Sequence, residues 1–348
     1  MKFINHKSSI AISTLLILAL TLLYIASGAK LISCTPKPKE EKEVLTLKAK
    51  IPMPKVSGRL DHIAYDAENQ RAYVAALGNN TVEVVDVGKE KYMFSLRGSS
   101  EPQGLAYIPA YKRLAVANGG TGLVNFYDCT TNEGIASVDL VQDADDMVLD
   151  TSNNMIYVGY GSGGIAMIDA NTMVKQPADI KLDGHPEAFC FDFVRYKVYV
   201  NVPSAHEIQI GDLTTSNTKL KLKNKNAESN YPMAIDVKNS RLFAGFRSPA
   251  KLEVIETVKG NIISNITISD DADDLFYDEQ DSLLFVSCGS GFIDVIKWKG
   301  GNEYSRINQI ATAKGARTCL YLPQQRELLL AVPKNGKEEA GLWVYSIN

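Results

Sequence analysis

Two identical tetrapeptides carry much of the visible chemistry of this 348-residue chain: Asp143-Ala144-Asp145-Asp146 and Asp271-Ala272-Asp273-Asp274. Carboxylates grouped in this way suit two tasks, holding a hard divalent cation through oxygen and exchanging protons as general acid or base. A third stretch, Asp61-His62, sets an imidazole beside a carboxylate, a pairing that fits a histidine to act as base or metal ligand near neutral pH. Like charges gathered in a partly desolvated place raise one another's pKa or demand a counter-charge. Here that could be Arg317, Arg59, a bound cation or a cationic ligand.

The two tetrapeptides stand in the same register of a repeat. A strand-like dipeptide recurs as Tyr73-Val74, Ala115-Val116, Tyr157-Val158, Tyr199-Val200, Phe243-Ala244, Phe285-Val286 and Leu329-Leu330, at intervals of 42, 42, 42, 44, 42 and 44 residues. Eight residues before the second member stands an acid in five copies (Asp66, Asp150, Asp192, Asp236, Asp278), in turn-like surroundings such as Asp66-Ala67-Glu68-Asn69. After it comes a stretch rich in Gly, Asn, Ser and Pro, then an alternating strand that ends in an acid, as at 82–86, 123–128, 165–169, 208–212 and 252–256. A fourth alternating segment, 262–268 in one copy, closes the unit. Four short strands per unit without a useful amphipathic helix predict an all-β, seven-bladed β-propeller. The last unit lacks its fourth strand, and the alternating segment 44–51 is expected to supply it, closing the ring and removing exposed edges.

In a propeller the loop leading into each innermost strand rims the central opening. Thirteen residues before each anchor stand Asp61, Gln103, Asp145, Glu187, Tyr231, Asp273 and Arg317; one position later come His62, Asp146 and Asp274; two positions earlier come Arg59, Asp143, His185 and Asp271. The expected binding set is therefore Asp61, His62, Gln103, Asp145, Asp146, His185, Glu187, Tyr231, Asp273, Asp274 and Arg317. The tetrapeptides lie three blades apart, nearly across the axis. His206, the remaining histidine of the domain, falls in a loop after a second strand. Some of the aspartates are also expected to cap turns or accept backbone hydrogen bonds.

Tyr73-Val74-Ala75-Ala76 followed by Asn79-Asn80-Thr81-Val82-Glu83-Val84-Val85-Asp86 resembles the YVTN-type repeat of bacterial and archaeal surface-layer and periplasmic β-propellers, and the other units are looser copies. The resemblance covers the chain after its N-terminal segment and implies fold rather than activity. Carboxylate and imidazole at a propeller mouth also resemble, in position and residue type only, the sites of gluconolactonase-type and streptogramin-lyase-type propellers. Two readings follow. In the first, the acidic mouth binds a small-molecule, peptide or protein ligand without chemistry. In the second, a metal-assisted hydrolase or lyase holds calcium or magnesium on Asp145, Asp146, Asp273 and Asp274, with His62 as base and Arg317 stabilising developing negative charge.

The N-terminus reads as an export signal, residues 1–34: Lys2 and Lys7 precede an apolar run over 10–25 and the small residues Ala26, Ser27, Gly28 and Ala29. Leu31-Ile32-Ser33-Cys34 resembles a bacterial lipobox, with Cys34 as the lipidated residue, and 35–43 reads as a polar tether to a propeller over 44–348. Lys30 departs from the lipobox pattern, so cleavage after Ala29 and an uncleaved membrane anchor stay open beside lipidation. A periplasmic or cell-surface location follows from any of the three. The chain holds 37 basic and 40 acidic side chains; without the three lysines before residue 35 the net charge falls to −6, which argues against a nucleic-acid partner. Cys129, Cys190, Cys288 and Cys319 are scattered singly, reading as small buried hydrophobes, with a Cys288–Cys319 disulfide geometrically conceivable. No phosphate loop, nucleophile elbow or His-Glu-x-x-His pair occurs. The lysine-rich segment 219–225 reads as an exposed outer strand.

Overall fold

Each repeat unit folds as one antiparallel sheet with its strands in chain order, and there are seven such sheets. Blade 1 is typical: Ile63–Asp66 lies innermost, followed by Arg71–Ala76, Thr81–Asp86 and Lys91–Leu96. This computed structural model describes residues 43–348 apart from residue 225; the expected export segment, Cys34 and the tether up to residue 42 lie outside the described residues. The ring closes as the sequence requires. Leu45–Pro52 pairs antiparallel with Gly341–Ile347, from Leu45 opposite Ile347 to Pro52 opposite Gly341, and completes blade 7. The outer strand of blade 3 is split into Val174–Lys175 and Ile180–Lys181, while that of blade 4 runs over Asn217–Lys223 at the lysine-rich segment.

The near-continuous apolar character of each second strand has a simple cause: both of its faces are buried, one in each neighbouring seam. Tyr73 and Ala75 enter the seam between blades 1 and 2, and Ala72, Val74 and Ala76 the seam between blades 7 and 1. Seven hydrophobic clusters result, one per seam. The turn acids behave as their spacing implies. Asp66, Asp150, Asp192, Asp236 and Asp278 each accept a backbone N–H two or three residues downstream, fixing the turn between first and second strands. Cys288 and Cys319 are buried as free thiols, so the conceivable disulfide between them is not formed.

Strand direction then assigns the faces. First strands run away from the face that carries the mouth, and the turns capped by these acids lie on the opposite face. The loops after second strands return to the mouth, as the bond from Gly78 N to Arg59 O and that from Gly289 N to Asp271 O make plain.

Candidate functional site

What places two successive side chains at the axis is a register shift. The innermost strands of blades 2, 3, 5 and 6 slip against their neighbours at Pro102/Leu105, Ala144/Met147, Asn230/Met233 and Ala272/Asp274. Such bulges redirect side chains. The shift in blade 3 spans Asp145 and Asp146, and that in blade 6 spans Asp273. In blades 1, 4 and 7 the regular innermost strand starts later, at Ile63, Phe189 and Cys319, leaving Asp61-His62, Glu187 and Arg317 in the lead-in segment.

His62 occupies the neck of the mouth. Its imidazole lies 3.7 Å from Asp61 Oδ1, 4.0 Å from Asp146 Oδ1 and 3.7 Å from Asp274 Oδ1, so aspartates three blades apart converge on one ring. Burial disfavours the charged ring, yet Asp274, Asp61 and Asp146 override it and raise the pKa to about 10. The aspartates are themselves pushed up by burial, Asp61 and Asp146 to about 6 and Asp274 to about 7, although His62 pulls each back. Asp274 Oδ2 also accepts the backbone N–H of Cys319 at 2.7 Å, and Asp146 accepts that of Phe189. The last acid of each tetrapeptide thus ties its blade to the first residue of the next innermost strand. Beneath them lies an axial cavity of about 240 Å³ with a contribution from every blade, including Ile63, Leu105, Met147, Phe189, Met233, Leu275 and Leu320. These apolar walls are the source of the desolvation.

Around the neck runs a ring of internal ion pairs. Arg59 Nη2 lies 2.9 Å from Asp61 Oδ2. His185 presents Nε2 to Asp145 Oδ2 at 3.2 Å and Nδ1 to Gly161 O at 2.7 Å; Asp143 lies 3.7 Å away, and its other oxygen accepts Gln103 Nε2 at 3.2 Å. The His185 pKa rises, because the hydrogen bonds and charge of its carboxylate partners outweigh burial. Arg247 pairs with Asp273 and, at 3.5 Å, with Asp271, while its guanidinium lies 3.8 Å from the centre of the Tyr231 ring. Arg317 Nη2 pairs with Asp271 Oδ2 at 2.9 Å.

Glu187 is the exception. No hydrogen bond or ion pair engages its carboxylate among the described residues, and burial together with Asp145 raises its pKa. Thr318 Oγ1, also at the neck, is buried without a hydrogen-bond partner. The eleven expected residues therefore converge on one mouth. His206 does not join them; it sits in the left-handed region (φ 54°) closing a short turn over Pro203–Ala205.

Sequence reasoning missed Arg247. Its signal was present three residues after each anchor, where the seven copies read Leu77, Gly119, Gly161, Pro203, Arg247, Gly289 and Pro333, a lone charge among small or stiff residues. The glycines there make room: a Cβ on Gly289 would fall 2.0 Å from Asp271 Oδ2.

The donor set fits a metal poorly. Among the described residues no three His, Cys, Asp or Glu side chains are placed to hold one ion, since Asp145 faces His185, Asp273 faces Arg247, and Asp146 and Asp274 face His62.

No family model matches the chain, and no curated protein matches it. Among solved structures it is similar to a chain of hydrazine synthase from Kuenenia stuttgartiensis, with TM-score 0.69 and 12% identity over 85% of this chain and 96% of that one. It is also similar to a chain in the crystal structure of a mitotic checkpoint complex, with TM-score 0.73 and 14% identity over 90% of this chain and 96% of that one. At such identities the likeness establishes the shared fold alone: this chain is a seven-bladed β-propeller.

Proposed function

We propose that this protein is an exported, membrane-anchored propeller of the YVTN-type repeat class that binds a cationic small molecule or peptide, or a partner presenting one, at its acidic mouth without transforming it. The observation that carries this reading is Glu187, a half-buried carboxylate with no direct ion pair among the described residues, in a ring where other acids are paired; His185 and Arg247 act on it only from beyond pairing distance. A ligand ammonium or guanidinium supplies the missing charge, and its apolar stem can lie along Tyr231 or enter the neck. The state of His62 argues against the role of base that the hydrolase or lyase reading gives it. With a pKa near 10 it is protonated at neutral pH, has no lone pair to act as a base, and serves instead as a fixed counter-ion to three aspartates.

The alternative, a metal-assisted hydrolase or lyase, requires calcium or magnesium to displace His62, His185 or Arg247 from the carboxylates. One experiment addresses both readings. Thermal unfolding is followed at pH 7 against spermidine, agmatine and trilysine, and separately against calcium and magnesium. The binding reading expects a saturable rise with an organic cation that is lost in Glu187→Gln/Asp145→Asn. A response to the metals alone transfers support to the hydrolase or lyase; silence towards all five probes sinks the cationic-ligand reading.

A further inference from the structure

On the face opposite the mouth, one of seven equivalent turns differs in kind. The turns between first and second strands all end on a left-handed residue with φ between 50° and 55°: Gln70, Lys112, Asn154, Tyr196, Ser240, Ser282 and Arg326. Six of these are polar, as a solvent-facing left-handed position favours. The blade 4 turn instead reads Phe193-Val194-Arg195-Tyr196, with Val194 76% and Tyr196 60% exposed. Its bulky phenol gains little burial in return for an uncommon backbone conformation.

The turn is also held firmly. Phe193 stacks on Phe191 with centroids 5.0 Å apart, and Arg195 bonds Asp192 at 2.6 Å and Ser240 Oγ of blade 5 at 3.1 Å. On the same side of blade 5, Val258 stands 71% exposed in the next outward turn, which the bond from Thr257 N to Ser240 O ties to the same serine that Arg195 reaches from blade 4. Lys259 is exposed beside the apolar tips, as is Lys238, which shares its charge with the equally exposed Glu279 at 3.0 Å.

The chain leaves the ring on this face too. Leu45 pairs with Ile347, Asn348 N bonds Val44 O, and Ile347 N bonds Arg326 O of the blade 7 turn, so Glu43 stands among the turns opposite the mouth. Forty-two residues precede it, including the apolar run over 10–25. Blades 7 and 4 lie three-sevenths of a turn apart. Tether and apolar turn therefore give one face two attachments on opposite sides of the axis.

We propose that this face docks on a lipid bilayer: Phe193, Val194, Tyr196 and Val258 enter the headgroup boundary, the neighbouring lysines meet anionic headgroups, and the acidic mouth points away from the membrane. Aromatic and aliphatic side chains with a basic fringe suit that boundary, and a tether on the same face makes even a weak insertion effective. The inference rests on the anchored reading above for its tether, so the test supplies a tether of its own.

Residues 43–348 contain every blade, every seam and the closing strand, and so form a complete folding unit. This chain, with an N-terminal hexahistidine, is attached to phosphatidylcholine/phosphatidylglycerol vesicles doped with nickel-chelating lipid. In a Trp298→Phe/Trp343→Phe background, Val194→Trp reports on the docking face and Ser162→Trp on the mouth. Brominated lipid is expected to quench the reporter at 194 by about twofold and to leave that at 162 unchanged, with Phe193→Ser/Tyr196→Asn abolishing the difference. Absent quenching at 194, or equal quenching at both sites, overturns the proposal. So does a dimer in sedimentation that Phe193→Ser/Tyr196→Asn disperses, which would assign the turn to a second copy of the chain. Fractionation of the full chain tests the anchor separately; a chain recovered as soluble refutes the anchored reading while leaving the quenching result intact.

Discussion

The two faces of this propeller use aspartate in opposite ways. On the face of the strand turns, Asp66, Asp150, Asp192, Asp236 and Asp278 recur in register, and each bonds the backbone of its own turn. Copies agree there because each blade needs the same local solution. At the mouth the copies disagree: the column thirteen residues before the anchors holds four acids, an amide, a phenol and a guanidinium, and, apart from Asp61 with Arg59 and His62 in blade 1, the charges pair between blades. In a repeat protein, stability resides where the units are alike, and recognition is to be sought where they differ. The apolar blade 4 turn obeys the same rule on the other face.

The sharpest challenge to this division is His62, because it belongs to the mouth and yet contributes heavily to folding. His62→Ala leaves Asp61, Asp146 and Asp274 without their shared cation and is expected to cost about 3 kcal/mol at pH 8. The sign of the pH dependence follows from the raised pKa values. His62 holds its proton to about pH 10 in the folded state but only to its ordinary 6.5 when unfolded. Its contribution is therefore complete below 6.5 and is lost as pH rises through 10. The three aspartates keep protons to about pH 6 to 7 instead of 3.8, so their terms also weaken stability as pH climbs from about 4 to 7. Wild-type melting should be highest in mild acid and fall towards pH 9, and the His62→Ala penalty should be largest in mild acid and shrink as pH rises towards 10. A melting temperature that instead rises from pH 5 to 9 would break the electrostatic account of the neck.

The turn face supplies the next largest effect. Asp192 is fully buried, accepts the Arg195 backbone N–H at 2.9 Å and pairs with its guanidinium. Asp192→Ala should destabilise by about 2 kcal/mol in chemical denaturation while leaving the response to cationic probes at wild-type strength. A loss of that response with the fold intact would mean that the two faces communicate.

Much of this architecture was legible because a propeller repeats its local physics. Burial on both faces makes every second strand apolar, and the turn acid fixes the period, so blade number, ring closure and the axial columns follow from spacing alone. The pairing within the columns does not. Asp145 finds His185 in the next blade, whereas Asp273 finds Arg247 in the preceding one, although the two acids occupy identical tetrapeptides. Side-chain length and register shifts at the neck decide such partners, and neither has a periodic signature. The same holds for His62: its sequence neighbour Asp61 announced a pair, but the convergence of Asp146 and Asp274 on one ring depends on bulges in blades 3 and 6. Arg247 escaped because it follows a second strand, outside the columns that lead into the first.

Glu187 gives the smallest effect on stability and the most direct reading of the mouth. Burial and the neighbouring Asp145 hold its pKa above the ordinary value against the pull of His185 and Arg247, so removing its charge relieves more than it takes away. Glu187→Gln should leave the melting temperature unchanged or raise it by about a degree, within the range of substitutions that break no named interaction. Binding should respond differently. A ligand ammonium beside Glu187 favours the carboxylate, so association near neutral pH releases a proton, and the calorimetric enthalpy changes with the ionisation enthalpy of the buffer. In Glu187→Gln that buffer dependence should disappear, and spermidine affinity should fall about tenfold, the equivalent of one charge-assisted hydrogen bond. Unchanged affinity with unchanged buffer dependence would move the recognition element away from Glu187 to the pairs around Asp145 or Asp273, where a ligand has to compete with His185 or Arg247.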